Sequence, residues 1–311
     1  MPELPEVETV RLGLQETIIG AKVSSVEVHD ARSLKRHVAG SRDFIETLTG
    51  RIIEGAVRRG KFLWLPLSVK RNEPQLALMG HLGMSGQILV RTPGFEADAL
   101  NRITIRLKGS DRQKLEVRFV DQRIFGSLAI DVMEPTEDEK SGGFYGTEED
   151  RPWVNLIPSQ ARHIARDPLD KAFDPELVLA RFKQKRSGIK RVLLDQQVIS
   201  GIGNIYADES LWRAKIHYDQ LASTISGPKA RLLLAEVTDV LASAVSQGGT
   251  SFDEQYKNVN GESGFFSINL NAYGQTGLPC SRCQRPIRRD NWMNRGSHYC
   301  PNCQKLRGQR L

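Results

Sequence analysis

Four cysteines near the end of the sequence have the spacing of a metal site. Two residues separate Cys280 from Cys283, two separate Cys300 from Cys303, and sixteen lie between the pairs. Each pair can hold one side of a tetrahedral ion, and four thiolates leave no coordination position open for chemistry. Residues 1–279 contain no cysteine, which argues against a disulfide framework. The spacing therefore predicts one structural Zn²⁺ ion in a zinc ribbon.

The second residue could supply a nucleophile. Removal of Met1 would expose the secondary amine of Pro2, and an α-amine titrates close enough to neutrality that part of it is uncharged at physiological pH. A neutral amine can attack a sugar C1′ and form a Schiff base, and Glu3 stands beside it for proton transfer. Because proline is common at position 2, this interpretation depends on the surrounding sequence.

The elements that must position these residues begin with a helix and continue as strands. A helix is expected over residues 5–18, because Pro5 suits a first helical turn and apolar residues recur at steps of three and four. Apolar runs broken by Gly, Asn and Asp then predict a β-sandwich or barrel that extends to about residue 132. Its expected strands are residues 22–29, 51–57, 61–67, 75–81, 102–108 and 114–120.

The second half of the sequence has a different pattern. An acidic, glycine-rich stretch over residues 134–150 predicts an exposed linker and a domain boundary. The pattern then becomes helical, and the polar, glycine-rich residues 248–266 predict a mobile loop. The expected helices are residues 175–185, 188–197, 204–216 and 228–247.

Basic residues are concentrated at the end of the chain. The sequence has a formal net charge of +7, and residues 276–311 contain eight basic side chains and one acid, Asp290. A basic block on a neutral body favours a polyanionic partner, most often nucleic acid, over a merely solvated tail. The basic residues are Arg282, Arg285, Arg288, Arg289, Arg295, Lys305, Arg307 and Arg310.

The sequence also bears on the compartment. No apolar run approaches the ~18 residues that a membrane-spanning helix needs. The first residues include three glutamates and lack the basic start and apolar stretch of a secretory signal. We therefore expect a cytoplasmic protein with no membrane partner.

Eight segments along most of the sequence form recognisable motifs: MPELPEVE (1–8), RRGKFLW (58–64), HLGMSG (81–86), DQRIFG (121–126), SGIGNIYADE (200–209), QGGTSF (247–252), NVNGESGFF (258–266) and AYGQTGLPC (272–280). These motifs resemble those of formamidopyrimidine-DNA glycosylases and follow one another in that family's order. The resemblance implies an α+β multidomain protein with an N-terminal β-sandwich led by a helix, a helix-two-turns-helix domain and a C-terminal four-cysteine zinc ribbon.

The resemblance implies a bifunctional DNA glycosylase and abasic-site lyase. Such an enzyme excises oxidised purines, chiefly 8-oxoguanine opposite cytosine and formamidopyrimidines, from duplex DNA in base excision repair. Pro2 matches the nucleophile that forms the Schiff base and then serves β,δ-elimination, and Glu3 matches the acid that protonates the sugar ring oxygen. Glu6 matches a supporting glutamate near the site. Lys61 matches a lysine that contacts phosphate near the lesion and assists catalysis.

Other matches concern the DNA. Met84, Arg123 and Phe125 match a triad that fills the hole left by the flipped base, with Arg123 facing the unpaired cytosine. Such apolar wedges suit this task because they can occupy the space between base steps. His81 occupies a motif that the family places near the DNA.

The resemblance assigns further DNA contacts to the second half of the chain. Gly203 and Asn204 match the part of the helix-two-turns-helix element that holds phosphates beside the lesion. Lys190 matches another phosphate contact, although a solvated helix lysine is the alternative. Arg295 matches an arginine of the zinc hairpin that also grips phosphate and belongs to the catalytic set. Residues 250–266 correspond to a loop that caps the lesion.

The expected domains are a catalytic β-sandwich (1–133), an acidic linker (134–151), a helix-two-turns-helix domain with the capping loop (152–275) and a zinc hairpin (276–311). The protein is expected to act as a monomer and to need no diffusible cofactor. Two features depart from the family pattern: the linker is long and acidic, and the chain continues eight residues past Cys303.

Two alternatives remain open. An endonuclease VIII-like glycosylase would act on oxidised pyrimidines with the same fold. Leu4 and the triad of Met84, Arg123 and Phe125 favour the purine branch, because the rival branch usually has glycine at the position of Leu4 and replaces the triad. A damage-binding protein without catalysis would use the same DNA contacts, but the presence of Pro2 and Glu3 argues against it.

Overall fold

The structure is a computed structural model that describes residues 2–109, 113–146, 150–249, 259 and 270–307. The chain divides into two compact units. The N-terminal unit comprises Met1–His163 with Gly248–Phe265, and the C-terminal unit comprises Ile164–Gln247 with Phe266–Leu311. Within the described ranges, no helix is both long and apolar enough to cross a membrane.

Two antiparallel sheets form the body of the N-terminal unit. The strands are β1 (Lys22–Val28), β2 (Val57–Arg59), β3 (Phe62–Pro66), β4 (Leu76–His81), β5 (Gly86–Arg91), β6 (Asn101–Lys108), β7 (Lys114–Asp121), β8 (Ser127–Pro135) and β9 (Leu156–Pro158). One sheet has the order β1-β6-β7-β5, and the other has the order β2-β3-β4-β8-β9. Apolar side chains from both sheets form one buried core, which confirms the predicted β-sandwich.

Two helices accompany this sandwich, α1 (Leu4–Thr17) and α2 (Gly40–Leu48). The predicted leading helix is thus present, shifted by one residue at each end. Val7, Val10 and Leu14 lie on one side of α1 and are buried in the sandwich core, as their spacing of three and four residues requires. The burial of this side fixes which residues of α1 face the protein.

The sequence pattern does not predict β5, β8, β9 or α2. Strand β8 contains Asp131 and ends with Glu134 and Pro135, and such residues are depleted in strands. Asp131 is accommodated because its carboxylate accepts hydrogen bonds from Ser159 and from the backbone of Gln160. The strand expected over residues 51–57 contributes only its last residue to β2.

Residues 134–146 differ from the predicted exposed linker. Phe144 exchanges two backbone hydrogen bonds with Arg58, at 2.9 and 2.7 Å. Gly142 and Gly143 lie so close to neighbouring backbone that a Cβ atom at either position would overlap it. The glycines of this stretch therefore permit close packing within the N-terminal unit, and the contiguous first part of that unit extends to His163.

The described part of the C-terminal unit contains four α-helices and one β-hairpin. They are α3 (Pro175–Gln184), α4 (Ile189–Leu193), α5 (Asn204–Arg213), α6 (Gly227–Ser246), β10 (Arg288–Trp292) and β11 (Arg295–Tyr299). All four predicted helices are present, although α4 is shorter than expected. Trp212 and Ile287 pack with Cys280 and Cys300 in a small buried cluster. This cluster joins the hairpin region to α5.

Candidate active site and nucleic-acid interface

The amino-terminal end of α1 carries the predicted nucleophile and acid. Pro2 is buried, and Glu3, only 2% exposed, is the N-cap residue of α1. The Glu3 backbone N–H donates to Glu6 Oε2 at 2.8 Å, and the Glu3 carboxylate accepts from the Glu6 backbone. This capping box holds both carboxylates at the positive end of the helix dipole. It explains how Glu6 can support Glu3 through hydrogen bonds alone.

A buried charge cluster ties α1 to the hairpin that carries Lys61. The Glu8 carboxylate accepts hydrogen bonds from Arg11 Nη2 at 2.9 Å and from Arg58 Nε at 2.8 Å, and all three side chains are almost completely buried. Arg58 belongs to β2, and Lys61 lies at the turn between β2 and β3. Because a buried ion pair tolerates little misplacement, the cluster fixes this turn relative to the start of α1.

His81 ends β4 in a largely buried and positively charged environment. Its ring centroid lies 5.0 Å from that of Phe62, and the Arg36 guanidinium lies 5.4 Å from the Phe62 centroid. Burial lowers the pKa of His81 to about 4, with further lowering by the charges of Arg36, Lys35 and Lys61. The imidazole is therefore neutral at physiological pH, with one nitrogen a donor and the other an acceptor.

The three residues of the predicted void-filling triad lie on two neighbouring loops. Met84 stands between β4 and β5, whereas Arg123 and Phe125 stand between β7 and β8. Met84 is 40% exposed and Phe125 is 52% exposed, and the Arg123 side chain is also exposed. The fold therefore brings together, at the surface, a set of side chains that the sequence separates by some forty positions.

Asp121 holds these two loops together. Its fully buried carboxylate accepts hydrogen bonds from the Ser85 hydroxyl at 2.6 Å and from the backbone N–H groups of Arg123 at 3.1 Å and Gly126 at 2.7 Å. Gly83 has a φ of 63°, and any side chain there would collide with the backbone of the second loop. The loops are thus in contact, and one carboxylate sets their relative position.

The start of α5 has the character expected of a phosphate site. Gly203 is its buried N-cap residue, and the chain reaches it through a tight turn with a left-handed φ of 88° at Gly201. The first N–H groups of a helix lack intrahelical acceptors and attract anions. Asn204 is partly buried, and its Nδ2 donates to the Gly296 carbonyl at 3.1 Å.

Lys190 lies inside the C-terminal unit, neither solvated nor directed at an outside ligand. Its side chain is 0% exposed, and Nζ lies 2.6 Å from Asp208 Oδ1. Nζ also donates to the Gly296 carbonyl at 3.2 Å and to Ser297 Oγ at 3.0 Å. An ammonium group has three donors, and these three protein acceptors match them. In this conformation the expected phosphate contact of Lys190 is therefore not available.

The four cysteines form one cluster. Their Sγ atoms all lie within 4.8 Å of one another, with Cys280 and Cys300 buried and Cys283 and Cys303 partly buried. The cluster is close enough to hold a metal ion. Arg295 begins β11, between the two cysteine pairs in sequence, and its side chain is exposed.

The sequence patterns do not reveal the buried acids that hold this architecture. Besides Glu8, Asp121 and Asp208, the carboxylate of Glu209 accepts hydrogen bonds from three consecutive backbone N–H groups. Burial raises the pKa of Glu209, although those hydrogen bonds lower it. An acid within an otherwise apolar stretch is the signal that could have identified such residues; the three N–H donors belong to Asn271, Ala272 and Tyr273.

The predicted capping loop spans residues 250–266. Residues 250–266 lie outside the described residues, with the exception of Val259. Val259 is buried in the core of the N-terminal unit and touches Gly13 of α1.

Comparison with known proteins identifies the family. The formamidopyrimidine-DNA glycosylase N-terminal domain matches residues 1–128, and the formamidopyrimidine-DNA glycosylase H2TH domain matches residues 164–255. A formamidopyrimidine-DNA glycosylase of Leifsonia xyli is 54% identical over 306 residues, which are 98% of this chain and 100% of the relative.

Solved structures agree with these matches. A complex of Lactococcus lactis Fpg (MutM) with DNA containing FAPY-dG has a TM-score of 0.77 and 28% identity, and the match covers 97% of this chain and 100% of that one. A complex of MutM with DNA containing carbocyclic 8-oxo-G also has a TM-score of 0.77, with 30% identity and coverage of 98% and 100%. The chain therefore belongs to the formamidopyrimidine-DNA glycosylase family.

Proposed function

We propose that this chain is a bifunctional DNA glycosylase and abasic-site lyase that excises oxidised purines from duplex DNA in base excision repair. The observation that carries the proposal is the buried start of α1, where Pro2 precedes the capping pair of Glu3 and Glu6. Family membership over the whole chain supports it, and related structures contain DNA with formamidopyrimidine or 8-oxoguanine lesions.

The chemistry follows from a secondary amine beside a carboxyl group. The lone pair of the Pro2 nitrogen forms a bond to C1′, and the damaged base leaves with the electron pair of the broken bond. The departing base takes up a proton and the Pro2 nitrogen releases its own, which frees the nitrogen lone pair for the next step. Glu3 delivers a proton to the ring oxygen as the sugar opens, which leaves an iminium ion between Pro2 and C1′. When a base removes a C2′ proton, the electrons of that C–H bond move into the iminium and form an enamine, which then expels the 3′ phosphate from C3′. Loss of a C4′ proton in a second elimination expels the 5′ phosphate from C5′.

The exposed loops of the N-terminal unit would hold the opened duplex. Extrusion of a base leaves a gap in the stack, and Met84 and Phe125 are exposed apolar side chains that can fill it. Arg123 lies on the same loop as Phe125 and would donate to the unpaired cytosine. Lys61 would contact a phosphate beside the reacting sugar, and neutral His81 would face the DNA near it.

The C-terminal unit would grip the backbone of the damaged strand. The N–H groups at Gly203 and Asn204 open α5, and exposed Arg295 adds a guanidinium suited to phosphate. Lys190 would contribute to this grip indirectly, by supporting the DNA-binding surface, because its ammonium group is bonded to protein acceptors. Phosphate contacts of this kind make binding weaker as salt rises.

We propose Zn²⁺ as the metal of the cysteine cluster. Tetrahedral bonds of about 2.3 Å to zinc would separate the sulfurs by about 3.8 Å. The observed sulfur separations, none above 4.8 Å, fit that geometry. Four thiolates would complete the coordination, so the ion would stabilise the hairpin and take no part in the reaction. On DNA we expect the protein to act as a monomer in the cytoplasm.

Borohydride trapping tests the proposal. The protein is mixed with a duplex that carries one 8-oxoguanine opposite cytosine, the iminium is reduced, and the adduct is mapped by mass spectrometry. We expect one adduct, on the nitrogen of Pro2, after removal of Met1. Pro2→Gly and Glu3→Gln should each abolish base excision and leave duplex binding largely intact. Pro5→Ala, which changes the other proline of this segment, is the matched control and should trap like the wild type.

Other outcomes identify the alternatives. An adduct with an oxidised pyrimidine but none with 8-oxoguanine would favour the endonuclease VIII-like reaction. Tight binding without an adduct on either duplex would favour a damage-binding protein. Excision at the wild-type rate by Pro2→Gly or Glu3→Gln would overturn the catalytic assignment.

A further inference from the structure

A buried ion pair lies where the hairpin meets helices α4 and α5. Lys190 of α4 and Asp208 of α5 approach within 2.6 Å, and neither side chain is exposed. Charges so deeply buried are costly unless each is paired and further hydrogen-bonded. The other hydrogen-bond partners of Lys190 and Asp208 therefore indicate which part of the protein this pair holds in place.

Hydrogen bonds from both members of the pair reach the residues that follow Arg295. Lys190 Nζ donates to the Gly296 carbonyl at 3.2 Å and to Ser297 Oγ at 3.0 Å. Asp208 Oδ2 accepts from the backbone N–H of His298 at 2.9 Å and lies 3.1 Å from its Nδ1. Three consecutive residues of β11 are thus bonded to one ion pair.

The turn of the hairpin is held from the same side. Lys190 Nζ lies 5.1 Å from the centre of the Trp292 ring, the residue that pairs with Arg295 across the hairpin. The two turn residues between them, Met293 and Asn294, have left-handed φ values of 47° and 59°. A two-residue turn of this kind leaves its flanking residues little freedom. The backbone position of Arg295 is therefore determined by anchors on both sides.

We propose that Asp208, together with Lys190, is a positioning residue that fixes Arg295 for its contact with the damaged strand. The inference rests on the proposed role of Arg295 and extends it to residues that touch no DNA. The exposed guanidinium can reach a phosphate only from where β11 begins, and the ion pair sets that place. Asp208 and Lys190 act on the reaction through Arg295.

The test is a mutant cycle on single-turnover excision of 8-oxoguanine from a duplex. Arg295→Gln should slow excision, and the double variant Asp208→Asn/Lys190→Met should slow it by up to about 100-fold, the cost of displacing an oriented group by about 1 Å. The double variant leaves no unpaired buried charge and keeps the stem of Lys190, so it should retain its fold and its zinc. The triple variant, which combines all three changes, should excise at a rate within about 2-fold of that of Arg295→Gln alone. The reason is that the effects of residues that act through one group do not add.

A second measurement reports the hairpin directly. In the double variant, the His298 amide should exchange hydrogen faster than in the wild type, because its acceptor Asp208 is neutralised. The amides of Gly296 and Ser297 should also exchange faster, because the bonds from Lys190 to the Gly296 carbonyl and to Ser297 Oγ no longer hold this segment. Glu176→Gln, which removes the exposed ion pair between Glu176 and Arg231 in the same unit, is the matched control and should change neither exchange nor rate. Should the double variant fail to fold, Ser297→Ala removes one bond of the network and takes its place in the cycle, with a smaller expected effect.

The outcomes separate the two claims. A double variant as fast as the wild type would overturn the inference. If it slows excision equally with and without Arg295, the ion pair acts by another route, and the inference fails while the proposed function stands. If Arg295→Gln is as fast as the wild type, the assignment of Arg295 is wrong, and so is the positioning role of Asp208 and Lys190. The trapping experiment on Pro2 would still test the proposed glycosylase and lyase activity.

Discussion

The Glu8 carboxylate accepts a hydrogen bond from Arg58 Nε at 2.8 Å, fifty positions along the chain. One partner lies in α1, the helix that starts beside Pro2, and the other lies in β2, the strand that leads to Lys61. The proposed nucleophile and the lysine proposed to bind phosphate, which come from distant parts of the sequence, are thereby linked through one buried contact. A reaction that depends on a nucleophile is fast only when the reacting groups are held in the right geometry, and a buried linkage of this kind helps to hold them.

Glu8→Gln should strongly destabilise the protein. The change leaves the buried guanidinium groups of Arg11 and Arg58 without their anionic partner, and breaking a buried pair in this way costs about 3–5 kcal/mol. Urea denaturation of the two proteins measures the difference. Glu46→Gln, which removes an exposed partner of Arg42, should have little effect. A loss below about 1 kcal/mol, the range of exposed pairs, would show that the cluster contributes little.

Asp121→Ala should weaken recognition of damaged DNA. The change leaves the Ser85 hydroxyl and the N–H groups of Arg123 and Gly126 without their acceptor, at a cost of about 1–3 kcal/mol. Part of this free-energy cost should weaken the complex with damaged DNA, so the Kd for a duplex with an abasic-site analogue should rise about tenfold.

The same binding titration on an undamaged duplex provides the comparison for Asp121. The side chains proposed to fill the void would act only on an opened stack, so affinity for intact DNA should change much less. Asp131→Ala, which removes another hydrogen-bonded carboxylate of the same unit, is the control variant. Equal weakening on both duplexes would contradict the role of Asp121 in holding the triad.

Cys300→Ser should release the metal and weaken DNA binding. Removal of one of four ligands leaves an incomplete shell, and the buried cluster of Cys280, Trp212 and Ile287 loses its support. Metal content by atomic absorption and duplex affinity by anisotropy should fall together. Chelation of the wild-type protein should reproduce both effects. Unchanged affinity after loss of the metal would show that the ribbon is not part of the DNA grip.

Stability should fall as the pH falls from 6.5 to about 4 because of His81. Its pKa is lowered to about 4 in the folded protein from an ordinary value of 6.5, so in this window the unfolded chain binds a proton that the folded chain does not. The contribution is fully present above pH 6.5 and is lost progressively toward pH 4. His81→Gln should give a shallower decline in Tm over this range. Direct titration of the His81 ring by NMR gives the pKa, and a value near 6.5 would contradict the prediction.

The amino-acid sequence by itself determines the features that depend on neighbours along the chain. The spacing of Cys280, Cys283, Cys300 and Cys303 identifies a metal site because each pair needs only a short local turn. Helical periodicity likewise places α1, since the spacing of its apolar residues is a property of one helix. The resemblance of the motifs indicates the family, which the comparisons confirm.

Only the tertiary structure decides how distant charged residues are used. The sequence around Lys190 does not indicate whether this lysine is solvated, bound to phosphate or buried. Its burial depends on Asp208, which lies in another helix. The glycines at 142 and 143 resemble a flexible linker, yet they serve close backbone packing. Asp121 matters because two loops meet at its carboxylate. Burial and pairing arise from the packing of separate elements, and no local pattern encodes them.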